Sequence, residues 1–150
     1  MVEIEWTHRV PLEVEKSMEQ DWAKYDQAHG ITLNYTPIAL LLRHENGEII
    51  GVLKAFTVFA EIYIDELWVH SSHRHKGLGR LLLQTLEARF TGKGFNNINL
   101  CTSAFQAPEF YKKCGFVVEF IRENVHHPKL TKYYLAKYFT ETPQHQGTLS

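Results

Sequence analysis

The apolar positions of this 150-residue chain change period several times, and each change marks an element. Val2 to Trp6 alternates apolar and polar, which predicts a short strand. Pro11 opens a segment in which Leu12, Val14, Met18, Trp22 and Tyr25 recur every two to four residues among Glu and Lys. That pattern predicts an amphipathic helix ending near Gly30. Ile38 to Arg43 is apolar, Asn46-Gly47 is a favoured two-residue turn, and Ile49 to Phe59 is rich in β-formers. Together they predict a hairpin. Glu61 to Val69, EIYIDELWV, reads as a further strand of β-branched and aromatic residues.

After Gly77 the period lengthens. Leu78, Leu81, Leu82, Leu86 and Phe90 keep helical spacing until Gly92 and Gly94 stop it. Ile98 to Cys101 reads as a buried strand. Pro108 starts a short helix that holds Phe110 and Tyr111 and ends at Gly115. Phe116 to Ile121 and Tyr133 to Phe139 predict two closing strands, and the polar tail, 140–150, is expected to be flexible. The order is helix, three strands, helix, strand, helix, two strands. It predicts a mixed α/β (α+β) domain over residues 1–139.

Composition narrows the class of partner. With 44% hydrophobic and 13% aromatic residues, the chain has enough apolar surface for one packed core. Its formal net charge of -1 gives no global attraction to nucleic acid or anionic membrane, so neither is expected as a partner. No apolar stretch reaches the roughly 18 residues of a membrane span. The opening MVEIEWTHRV lacks the apolar segment of a secretory signal. Cys101 and Cys114 suit free thiols better than a disulfide scaffold, and a cytoplasmic location is expected.

The chemistry concentrates in SHRHKGLGRLLL, Ser72 to Leu83. A strand that runs through Arg74-His75-Lys76-Gly77-Leu78-Gly79-Arg80 into a helix forms an anion site. The first helical N–H groups lack partners, the dipole end is positive, and glycines let a ligand approach the backbone. Arg74, Lys76 and Arg80 add charge that suits a diphosphate. The spacing G-x-x-x-x-G-K-[ST] of a nucleotide P-loop does not occur, and Gly77-Leu78-Gly79 lacks the third glycine of a dinucleotide fingerprint.

The remaining phosphate-binding pattern is R/Q-x-x-G-x-G/A, met by Arg74-His75-Lys76-Gly77-Leu78-Gly79 after the strand Leu67-Trp68-Val69. With Phe110-Tyr111-Lys112-Lys113-Cys114-Gly115-Phe116 further on, the chain resembles the GCN5-related N-acetyltransferase (GNAT) superfamily from about Leu40 to Phe139. The resemblance implies a mostly antiparallel central sheet of six to seven strands flanked by helices, with a splayed strand pair holding acetyl-CoA. It implies transfer of an acetyl group to a primary amine by direct attack in a ternary complex. A non-catalytic acetyl-CoA sensor or interaction domain of the same fold is the rival reading.

Carried over by motif, Arg74, His75, Lys76, Gly77, Leu78, Gly79 and Arg80 hold the pyrophosphate, and the backbone of Leu67, Trp68 and Val69 meets the pantetheine arm. Tyr111 takes the position of the tyrosine near the thioester sulfur, as general acid or hydrogen-bond donor. If the strand alternates regularly, Tyr63, Asp65, Leu67 and Val69 share one face and Ile64, Glu66 and Trp68 the other. Asp65 is then the expected base, with Tyr63 a substitute; a bulge slips the register and brings Glu66 forward. Many members carry Asn where this chain has Ala104, so Ser103, Phe105 or Gln106 is expected to replace that cofactor contact.

Nine histidines raise the question of a metal. Three or four converging ligands would be needed, no C-x-x-C exists, and no metal is expected. His73 and His75 read as loop residues facing the phosphates, and His126-His127 as part of the loop between the last two strands. The acceptor is open between a small-molecule amine and a protein amine, with acidic Glu13, Glu15, Glu19, Asp21 and Asp26 favouring a cationic one. The strand pairing of relatives allows a homodimer.

Overall fold

The computed structural model describes residues 1–140. The tail expected to be flexible, apart from Thr140, lies outside the described residues. The chain divides into two compact units, Met1–Leu33 and the remainder from Asn34.

The first unit carries α1 (Leu12–Ala28), which starts after Pro11 and whose first turn holds Glu13 and Glu15. Acidic residues there oppose the positive dipole end. None of the α1 side chains is buried, so the apolar stripe seen in the sequence is exposed. The strand expected at Val2 to Trp6 is absent. Alternation alone does not make a strand; the backbone needs a neighbour to complete its ladder.

The second unit is a six-stranded sheet in the order β1-β2-β3-β4-β6-β5. The strands are β1 (Thr36–Arg43), β2 (Ile49–Val58), β3 (Glu61–Val69), β4 (Asn97–Ser103), β5 (Val117–Arg122) and β6 (Lys132–Tyr138). All neighbours pair antiparallel except β3 and β4, which are parallel and joined by the crossover helix α2 (Leu78–Phe90). The short helix α3 (Pro108–Lys113) links β4 to β5.

The β1–β2 connection differs in detail from expectation. His44 N–H donates to Glu48 O and Gly47 N–H to His44 O, so three residues, Glu45 to Gly47, form the loop. Gly47 takes φ +91, the left-handed value that a three-residue hairpin loop needs at that position.

The core lies on one face of the sheet. Leu82, Leu83 and Leu86 of α2 pack with Leu53, Ile62, Ile64, Ile98, Leu100 and Leu135, and Tyr111 and Phe116 close the cluster. Each leucine so buried contributes about 1.5–3 kcal/mol. This packing fixes α2, and therefore the loop before it, against β3.

Candidate active site

Strands β3 and β4 pair over Glu61↔Asn97, Ile62↔Ile98 and Tyr63↔Asn99 and then separate. Asn99 Nδ2 clamps the paired end, donating to Glu61 Oε1 at 3.1 Å and Asn97 Oδ1 at 2.8 Å. Past Asn99, β4 continues alongside β6 as far as Ser103↔Lys132. From Ile64 to Val69, β3 therefore borders a wedge instead of a strand. Main-chain groups on such an edge need partners, and a ligand bearing amides can supply them.

A bulge sits at the mouth of the wedge. Lys54 pairs with Glu66 and Ala55 with Ile64, which leaves Asp65 as the extra residue. The expected alternation is thereby overturned. Leu67 packs on the core with Ile64. Tyr63 lies on the opposite face, its ring 5.3 Å from that of Phe56. Glu66 is on that same face, 4.0 Å from Lys54 Nζ, and Asp65 lines a cavity there with Lys54 and Phe56. The bulge thus brings both carboxylates to one side, where regular alternation would have separated them.

Tyr63 is a poor base in this setting. Burial, then the Cys101 thiol, Asp65 and Tyr134, raise its pKa above the ordinary phenolic value, so it stays protonated at neutral pH.

The far end of the wedge is the glycine loop. After Val69 the chain makes a 3₁₀ turn, Ser71–His73, in which His70 Nδ1 accepts from Ser72 N–H at 3.2 Å. Arg74 Nε donates to Val69 O at 2.9 Å, tying the loop to the end of β3. His75 (φ +62) and Gly77 (φ +78) are left-handed, and α2 starts immediately afterwards. The first N–H groups of α2, from Leu78, Gly79 and Arg80, have no partners within the helix. Arg74, His75 and Lys76 are exposed beside them. The His73 ring, in the 3₁₀ turn, packs 5.3 Å from that of His44 and 6.1 Å from that of His70.

Two residues of the motif have roles in packing. A Cβ added to Gly79 would lie 3.1 Å from Phe110 Cζ and 3.9 Å from Leu67 Cδ2, so α2, α3 and β3 meet at this glycine. Arg80, expected beside the phosphates, donates from Nη2 to Lys113 O at 3.1 Å and so holds the C-terminal end of α3. Gln106 is similarly engaged: its Oε1 accepts from Ser103 N–H at 2.9 Å and shapes the turn between β4 and α3.

Tyr111 lies on α3, between the rings of Phe110 at 5.2 Å and Phe116 at 5.8 Å. Burial, and secondarily the Cys114 thiol, push its phenol up to about 12. It is a neutral hydrogen-bond donor across the physiological range.

These features have counterparts in known proteins. Residues 1–116 match the acetyltransferase (GNAT) family. The chain belongs to that family. It is 36% identical to blasticidin-S acetyltransferase of Streptomyces morookaense over 73 residues, 48% of this chain and 54% of that protein. The chain thus spans about half the length of that relative. An acetyltransferase from Bacillus cereus superposes with a TM-score of 0.72 at 27% identity, covering 89% of this chain and 97% of the other. An aminoglycoside 6'-N-acetyltransferase solved with coenzyme A gives 0.60 at 20% identity over 72% and 76% of the two chains, a likeness of fold.

Within this GNAT domain the residues present fit an acetyl-CoA molecule. The wedge offers unpaired strand edge, and the loop offers helix N–H groups with Arg74 and Lys76 around them. Open space faces Gly77, where an added Cβ would meet nothing within 4 Å. Sequence reading missed the aromatic row Tyr35, Phe56 and Tyr63 and the tie from Arg80 to α3. The row was hidden because its rings come from three separate segments that only strand pairing brings together, and the tie spans 33 residues of sequence.

Proposed function

We propose that this chain is an acetyl-CoA-dependent N-acetyltransferase that acylates a primary amine in a ternary complex in the cytoplasm. The observation that carries this reading is the parting of β3 and β4 at Tyr63↔Asn99, with the glycine loop at the far end of the opening. Pantetheine amides pair with the backbone of Leu67, Trp68 and Val69. The pyrophosphate rests on the first N–H groups of α2, with Arg74 and Lys76 supplying charge.

Acetyl-CoA, when bound, supplies a thioester carbon to which the amine nitrogen bonds as the C–S bond breaks, giving an acetamide and the CoA thiolate. The nitrogen must arrive neutral and shed a proton as it bonds. Asp65, at the bulge, accepts that proton directly or through water, and Glu66 on the same face is its substitute. Tyr111 donates a hydrogen bond to the departing sulfur. A phenol near 12 does not yield its proton readily to a thiolate, whose thiol titrates around 8.5, so Tyr111 stabilises the charge and solvent completes the thiol.

Titration calorimetry with acetyl-CoA, followed by thiol release over an amine panel, tests the reading. Binding with amine-dependent release of CoA supports it. Binding with no release from any amine points to a sensor, and no binding removes both.

A further inference from the structure

The face opposite the core carries a cavity of about 350 Å³ lined by Tyr35, Pro37, Ala39, Lys54, Phe56 and Asp65, among others. Small-molecule sites occupy about 300–1,000 Å³. Two of its lining rings, Tyr35 and Phe56, lie 5.6 Å apart, and the row continues beyond the lining to Tyr63, 5.3 Å from Phe56. Tyr63 is also the last β3 residue paired with β4, so the row ends where the wedge begins. Asp65, next to the opening, is the carboxylate in the cavity wall.

Accepting the acetyl transfer proposed above, we infer that this cavity receives the acceptor, and that the acceptor is a single amine carried on a flat, apolar body. The aromatic row and the flanking proline and alanine bury a planar group, offset-stacked on the rings. The amine end then lies toward Asp65, at the mouth of the wedge. Lys54 weighs against the other class of amine, because it already stands beside the carboxylates on this face. Lys54 lines the cavity beside Asp65, and its Nζ lies 4.0 Å from Glu66 Oε1. The further cations of a polyamine or aminoglycoside would have to compete with Lys54 for Asp65 and Glu66, whereas a single amine needs only one of them.

Steady-state assays at saturating acetyl-CoA with phenethylamine, tryptamine, spermidine and kanamycin test the assignment. The two arylalkylamines should show kcat/KM at least about tenfold above the polycations, the scale of one tenfold step per 1.4 kcal/mol. Tyr35→Ala, at an exposed ring outside the strands, should raise KM for phenethylamine severalfold while calorimetric affinity for acetyl-CoA is unchanged. Phe56→Leu should do the same. Lys54→Gln should improve spermidine relative to phenethylamine. Turnover of spermidine or kanamycin that ignores Tyr35, Phe56 and Lys54 overturns the acceptor assignment and leaves acetyl transfer standing. Absence of product from every amine overturns acetyl transfer itself, and this assignment with it.

Discussion

Gly79 and Phe110 are packed so closely that a Cβ at position 79 would lie 3.1 Å from Phe110 Cζ. The glycine that a phosphate-binding pattern requires is also the point where α2 closes on α3. Gly79→Val should therefore weaken acetyl-CoA binding at least tenfold and also lower stability by about 1–3 kcal/mol, the cost of overpacking. Calorimetry and urea unfolding check the two effects. Loss of affinity with unchanged stability would show that the packing role is wrong.

Arg80 makes a second tie between the same helices, through Lys113 O at 3.1 Å. Arg80→Ala should cost about 1 kcal/mol of stability, the net worth of one such hydrogen bond. Because α3 carries Tyr111, kcat should fall severalfold, whereas Lys76→Ala should chiefly raise the Kd for acetyl-CoA. Equal patterns in the two variants would show that Arg80 acts chiefly at the phosphates, as Lys76 does.

The raised phenol of Tyr111 predicts a specific alkaline behaviour. A group whose pKa is higher in the folded state stabilises the fold fully below its unfolded value, near 10, and loses that contribution as pH climbs through about 12. A shift of that size corresponds to about 2–3 kcal/mol. Wild-type stability should thus drop more steeply between pH 10 and 12 than that of Tyr111→Phe. The same variant should lower kcat about tenfold or more with little change in acetyl-CoA affinity. Matching alkaline profiles would show that the phenol titrates as an ordinary one.

The bulge at Asp65 brings onto one face two carboxylates that sequence alone leaves as alternatives, and only Asp65 lines the cavity there. Asp65→Asn should reduce kcat/KM by about a hundredfold, the lower range for a proton-transfer group. Glu66→Gln, which loses only an exposed pairing with Lys54, should change it a few-fold at most. The reverse order in a pH–rate comparison would assign proton transfer to Glu66.

The sequence carries most of the fold because its elements are local. Glu61 to Val69 and the leucines of α2 announce themselves by period and have the expected bounds within a residue or two. Val2 to Trp6 shows the limit, since pairing is not written in alternation. The loop of the site was equally legible, because Arg74 to Gly79 is one contiguous pattern. The face of Tyr63, Asp65 and Glu66 was not: one unpaired residue reverses every side chain beyond it. Arg80 was read beside the phosphates for its charge, and Gln106 at the cofactor as a replacement for the Asn that relatives carry where this chain has Ala104. Their protein partners, Lys113 O and Ser103 N–H, come into view only when α3 is folded back on α2 and β4.

The central claim is acetyl transfer at the wedge between β3 and β4, and one assay addresses it most directly. Purified protein is mixed with acetyl-CoA and a primary amine, free CoA thiol is followed with time, and the product is weighed by mass spectrometry. Amine-dependent thiol release, matched one-to-one by an amine heavier by a single acetyl group and lost in Gly79→Val, is the predicted result. Saturable acetyl-CoA binding with no acetylated product from any amine in the panel would contradict it.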